Sequence, residues 1–173
     1  MKGGIKPGST AWDEKSLRHD KLVRQAANTV YDLLSEDYPK LKKQAKLKQE
    51  QIVGGIGACQ PDGGVWFYDD KLIAAFEAKK QNDSGNAIER WYKNYHIISQ
   101  INDRCPLVTF AIGEGVREGS PIWKVLYSAH QGEYDTLRSS GPSCFLSPNG
   151  FTFEELVRNM KEFIVEELGK VSP

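Results

Sequence analysis

The chain has 173 residues, 39% hydrophobic and 27% charged, with 23 Lys plus Arg against 23 Asp plus Glu. That is the composition of a globular domain able to bury a core without disulfide or metal staples, and it excludes a disordered chain. Zero net charge also excludes a generic polyanion binder of the histone-like kind, while leaving room for local basic patches.

Leu22, Val23, Ala26, Ala27, Val30, Leu33 and Leu34 recur at three- and four-residue intervals, which predicts an amphipathic helix from about Arg18 to Ser35, closed by Pro39. A basic run follows, Lys40, Lys42, Lys43, Lys46 and Lys48, whose simplest reading is a solvated helix face. The glycine-rich passage Gly54 to Gly57 and then Pro61-Asp62-Gly63-Gly64 lacks the GK[ST] ending of a P-loop and the spacing of a dinucleotide fingerprint. Val65 to Tyr68 and Leu72 to Lys79 read as two strands around Asp69-Asp70-Lys71. Gly85 punctuates a change to helical period, with Ile88, Trp91, Tyr92, Tyr95 and Ile98 as the apolar face from about Asn86 to Ile101.

Strands are expected from Leu107 to Gly113 and from Ile122 to Ser128, while residues 131–150 are turn-rich and poorly specified. Thr152 and Glu155 form a capping box for a last helix that turns Leu156, Met160, Phe163, Ile164 and Leu168 inward. The order of elements predicts a single α/β domain over residues 1–173, a sandwich with a mixed sheet.

No hydrophobic segment of a secretory signal precedes these elements, and the longest apolar stretch, Leu107 to Ile112, is too short to span a bilayer. Cys59, Cys105 and Cys144 are odd in number and have no CxxC spacing, so reduced and mostly buried thiols in a cytoplasmic protein are expected. His19, His96 and His130 are equally scattered and give a zinc site little support.

Two constellations carry chemistry. Asp62 stands at the start of the hairpin, and Glu77 and Lys79 lie two apart on its second strand. Strict alternation puts Ile73, Ala75, Glu77 and Lys79 on one face and Leu72, Ala74, Phe76 and Ala78 on the other. Two converging carboxylates call for a counterion, and hard oxygen ligands suit Mg²⁺. A metal-acidified water beside the Lys79 ammonium is a competent nucleophile for a phosphodiester. The D…ExK pattern alone equally fits a surface hairpin with solvated Glu77 and Lys79. On the following helix, Asn86, Arg90 and Lys93 fall in one sector with Glu89 at its edge. Amide, guanidinium and carboxylate groups are the chemistries that read base edges, although an ordinary helix with a Glu89–Lys93 pair has the same period.

Taken together, Pro61-Asp62-Gly63-Gly64, Phe76-Glu77-Ala78-Lys79-Lys80-Gln81 and Gly85-Asn86-Ala87-Ile88-Glu89-Arg90 with Lys93-Asn94 closely resemble the EcoRI/MunI-like type II restriction endonucleases. That family belongs to the PD-(D/E)XK nuclease superfamily. The resemblance spans residues 61–94, about a fifth of the chain. It implies a restriction-endonuclease-like core, a central mixed β-sheet flanked by α-helices, and Mg²⁺-dependent cleavage of double-stranded DNA at a short palindrome with an AATT core. By the same resemblance, Asp62, Glu77 and Lys79 are catalytic, and Asp62 and Glu77 hold the metal. Asn86, Ala87, Glu89 and Arg90 match the segment that contacts the inner bases, Gln81 a position near the scissile region, and Lys93 and Asn94 positions that touch phosphates. A palindromic target implies a homodimer, and a restriction enzyme implies a companion DNA methyltransferase.

Only Lys80 to Ser84 separate Lys79 from Gly85, where the family carries a longer insertion that reads outer base pairs. Those pairs are therefore expected to be read differently here, or not at all. The alternatives are a superfamily nuclease of another role, in repair or structure-selective cleavage, and a DNA-binding relative without activity. The basic segments are expected to line a DNA cleft and the acidic last helix to face away from it.

Overall fold

The computed structural model describes residues 10–48, 59–81, 87–102, 106–120, 123–124 and 143–171. It is an α/β fold: a five-stranded mixed sheet with three helices. In chain order these are α1 (Thr10–Leu34), β1 (Leu41–Gln44), β2 (Val65–Tyr68), β3 (Lys71–Lys80), α2 (Ala87–Ile101), β4 (Leu107–Ile112), β5 (Ser143–Ser147) and α3 (Phe153–Val171). The strands lie side by side in sequence order, with β1, β2 and β3 antiparallel and β3, β4 and β5 parallel. β3 is therefore the strand at which the sheet changes sense.

The lysine run forms no helix. Its first part is β1, an edge strand whose Lys40 and Lys42 pair with Asp69 and Asp70 at 3.6 and 3.8 Å. Lysines on an exposed edge discourage pairing with another chain. Asp69 and Asp70 both have positive φ, 50° and 66°, and join Tyr68 to Lys71 as a two-residue hairpin turn of the primed kind.

One face of the sheet packs on α1 and α3, the other on α2. Val23, Ala26, Ala27, Val30 and Leu34 of α1 join Leu156, Met160, Ile164 and Leu168 of α3 in the first core. Phe76 is its hub, with ring centroids 5.8 Å from Trp66, 6.3 Å from Phe110 and 6.0 Å from Phe163. Truncating so buried an aromatic costs about 3–5 kcal/mol, which pins the register of β3 and so the direction of Glu77. The second, smaller core sets Val65, Phe67, Leu72, Ala75 and Leu107 against Ile97 and Ile98 of α2.

Strict alternation fails along β3. Trp66 pairs with Ala74 and Phe67 with Leu72, leaving Ile73 as the extra residue of a β-bulge. Ile73 and Ala74 consequently both face α1 and α3, whereas Leu72 shares the α2 face with Ala75. The expected grouping of Ile73 with Ala75, Glu77 and Lys79 is corrected on this point.

The capping box forms as read: Thr152 N–H donates to Glu155 Oε1 and Glu155 N–H to Thr152 Oγ1, both at 3.1 Å. β5 lies inside the stretch read as turn-rich. Of the strand expected from Ile122 to Ser128, only Trp123 and Lys124 are described, and they are helical. Cys59 and Cys144 are buried, while Cys105 lies outside the described residues. Among the described residues, no helix is long and apolar enough to cross a membrane.

Candidate active site

The segment before β2 is threaded tightly against β3. Gly64 N–H closes a turn on the Pro61 carbonyl at 3.0 Å, and Gly63 N–H donates to the Phe76 carbonyl at 2.9 Å. A Cβ on Gly63 would lie 2.6 Å from Phe76 Cβ. Gly64 has φ +78°, and its Cβ would lie 2.9 Å from the Gln44 carbonyl oxygen. Both glycines are demanded by this approach, which delivers Asp62 to the carboxyl end of β3.

There Asp62 Oδ2 accepts the Ala78 N–H at 3.0 Å, while Glu77 Oε1 accepts the Ala78 N–H at 3.2 Å and the Asp62 N–H at 3.4 Å. Lys79 Nζ lies 3.9 Å from Glu77 Oε2. Glu77 is 7% exposed. Burial, above all, holds its carboxyl well above the ordinary carboxylate range; the hydrogen bond and charge of Asp62 add to this, and Lys79 opposes it. Asp62, Glu77 and Lys79 thus come together at the carboxyl-terminal end of β3, the strand where the sheet changes sense.

The helix α2 supplies the remaining ligand of Glu77. The Asn94 side-chain amide donates to Glu77 Oε2, and Cys59 Sγ sits 4.0 Å from Asn94 Oδ1. Burial first and the Glu77 charge second push the Cys59 thiol up to about 12, so it stays protonated. In this structure Asn94, matched by resemblance to a phosphate contact, is half-buried and bound to the Glu77 carboxyl.

This rotates the inward stripe of α2. Ile97 and Ile98 are buried and Tyr95 is partly buried, but Tyr92, expected inward, is 51% exposed. Glu89 and Lys93 are exposed as read. Ala87 and Arg90 lie on the helix with side chains outside the description, and Asn86 lies outside the described residues. Gln81 is buried where the chain leaves β3, its backbone held by Ile112 and Gly115.

Three residues near the site have no warning in the sequence. Asp20 of α1 is pushed up to about 6, first by burial and then by the Asp62 charge, with Lys79 and Arg24 opposing. His19, beside it, is buried with Nε2 3.0 Å from the Phe110 carbonyl oxygen, and burial holds it below its ordinary value. Thr109 pairs with Glu77 across the β3–β4 ladder, and its buried hydroxyl has no hydrogen-bond partner among the described residues.

The donor set suits a hard cation. The buried Glu77 carboxyl beside Asp62 carries a negative charge that its surroundings disfavour, and either a proton or a cation relieves it. Among the described residues no three His, Cys, Asp or Glu side chains group to hold a metal. An ion here would take the rest of its shell from water and substrate oxygens, which is how Mg²⁺ is commonly held.

No family model, curated protein or solved structure matches this chain. The functional reading therefore rests on the site's own geometry and on the motif resemblance.

Proposed function

We propose that this protein is a Mg²⁺-dependent, sequence-specific endonuclease of the type II restriction class, built on a PD-(D/E)XK core and cutting double-stranded DNA at a palindrome with an AATT core. The observation that carries this reading is the arrangement around one amide: Asp62 and Glu77 both accept the Ala78 N–H, and Lys79 projects beside Glu77. A surface hairpin with solvated charges would not bury Glu77 to 7% exposure.

Bound by Asp62 and Glu77, Mg²⁺ would supply Lewis acidity toward a phosphate oxygen and acidify water. Lys79 orients a water for in-line attack and offsets the charge that grows on the phosphate oxygens. Asn94 holds Glu77 in one orientation, so the carboxylate need not reorganise when a phosphate arrives. Glu89, Arg90 and Asn86 read bases, and Lys93 meets the backbone. A palindrome has two equivalent scissile strands, so the active species is a homodimer. A companion methyltransferase would protect the host's own sites.

Supercoiled plasmid incubated with the protein and MgCl₂, with an EDTA control, tests the reading. Discrete fragments whose sequenced ends share AATT are expected. A smear would point to a nuclease of another role, and intact plasmid in Mg²⁺ would sink the catalytic claim.

A further inference from the structure

On the α1 side of Asp62 lies a cleft of about 170 Å³, lined by Arg24 and Asn28 of α1, Lys43 of β1, and Asp62, Gly63 and Gly64. At about 30 Å³ per water, it has room for a phosphate group with some of its hydration. Neighbouring basic residues are already engaged: Lys40 and Lys42 pair with the hairpin turn, and Lys79 with Glu77. Arg24 and Lys43 make no salt bridge among the described residues. Asp20 acts electrostatically on Arg24 and Asp32 on Lys43, in neither case as a salt bridge.

Burial lowers the Lys43 ammonium from its ordinary value, so this cation is poorly solvated as well as unpaired. Adjacent strand residues point to opposite faces, which is why Lys42 reaches the Asp70 carboxylate while Lys43 enters the cleft. The one opposing group in the lining, Asp62, has its Oδ2 occupied by the Ala78 N–H.

We infer that the Arg24–Asn28–Lys43 cleft is a phosphate-binding subsite, and that it seats a backbone phosphate of the DNA strand adjacent to the one at Asp62 and Glu77. A guanidinium fork, an amide donor and an ammonium around one small concavity match the tetrahedral oxygens of a phosphodiester. The identification of the phosphate as DNA rests on the endonuclease reading; the anion site itself does not. Its role is to fix the register of the strand, carrying no sequence information.

The test has two arms. Inorganic phosphate is titrated into the ¹⁵N-labelled protein, following the Gly63 and Gly64 amides, which line the cleft. Binding of a labelled AATT duplex and a random duplex is then measured in Ca²⁺ over a series of salt concentrations. Wild type and Lys42→Gln are expected to show the amide shifts and the same salt dependence. Arg24→Gln and Lys43→Gln are each expected to lower the log–log salt slope by about one, on both duplexes equally, and the double variant to lose the phosphate shifts. If the double variant keeps both the slope and the shifts, the subsite is wrong. Duplex binding with an unchanged slope in the variants would overturn the subsite and leave the endonuclease reading standing. Saturable phosphate shifts in a protein that binds neither duplex would support the anion site and remove the endonuclease reading.

Discussion

The Asn94 amide of α2 donates to Glu77 Oε2 at the end of β3, so the helix that carries Glu89, Arg90 and Lys93 is fastened to the buried Glu77 carboxyl. Glu89 and Arg90 stand one turn upstream on that helix. On the proposed reading, docking of α2 against DNA would thereby be mechanically joined to the orientation of Glu77.

Asn94→Ala is expected to slow cleavage about 10- to 100-fold, the usual cost of losing a group that orients a metal ligand, and to raise the Mg²⁺ concentration needed for half-maximal rate. Affinity for the duplex in Ca²⁺ and its salt slope should stay near wild type. The opposite result, a lower salt slope with an unaltered Mg²⁺ requirement, would make Asn94 the phosphate contact that the resemblance implies.

Glu77→Ala or Lys79→Ala should abolish cleavage while leaving the specific complex largely intact, because the proposed function assigns both side chains to phosphate and metal and neither to bases. A gel shift in Ca²⁺ beside a cleavage assay in Mg²⁺ reads both quantities. Cleavage retained by either variant removes its catalytic assignment.

Arg90→Ala is expected to weaken the specific complex by about 1–3 kcal/mol and to spare binding to random DNA. Competition between an AATT duplex and a scrambled one measures the difference. Equal losses on the two would reassign Arg90 to the backbone.

Thr109 buries a hydroxyl with no hydrogen-bond partner among the described residues. Thr109→Val replaces it by a methyl of similar shape, so a gain of about 1–3 kcal/mol, the cost of an unsatisfied buried polar group, is expected. Chemical denaturation measures it. A loss of stability would show that the hydroxyl has a partner in the folded protein.

What could be read in the sequence was what is local. The heptad-like spacing of α1, the hairpin from Val65 to Lys80 and the Thr152–Glu155 box each announce themselves within a few residues. β1 and β5 do not, because Leu41–Gln44 reads as a charged run and Ser143–Ser147 takes its form from pairing with β4. The bulge at Ile73 exists only in relation to β2, so alternation gave the wrong face for Leu72 and Ile73. In the candidate site, Asp62, Glu77 and Lys79 were legible as a motif. Asp20 and Arg24 were not, and Lys43 stood out only as part of a basic run expected to line a DNA cleft, because α1 and β1 reach Asp62 through tertiary packing that no local spacing encodes. Tyr92 misled because aromatic character was taken for burial, whereas the Asn94–Glu77 bond sets the rotation of α2.

The acids around the site make the stability of the metal-free protein depend on pH in a predictable direction. Asp20 titrates near 6 in the folded chain against an ordinary 3.8, and Glu77 is likewise raised above 4.5. A raised folded pKa contributes stability that is fully present below the unfolded value and is lost as pH rises through the folded one. For Asp20 that loss runs from 3.8 to about 6. His19 acts in the opposite sense: lowered from 6.5, it removes stability as pH falls below that value. The two overlap, so Asp20→Asn should separate them by removing the Asp20 share of the decline, leaving that of Glu77 and the acid-side loss of His19. A divalent cation at Asp62 and Glu77 replaces the proton that Glu77 otherwise favours. MgCl₂ should therefore raise the melting temperature at about pH 8 and have little effect at about pH 5, where protons compete for the same oxygens. Glu77→Gln should erase the increment at the higher pH. Melting curves with and without MgCl₂ across that range supply the check. An increment of equal size at both ends, or one that survives in Glu77→Gln, would place the metal away from these carboxylates.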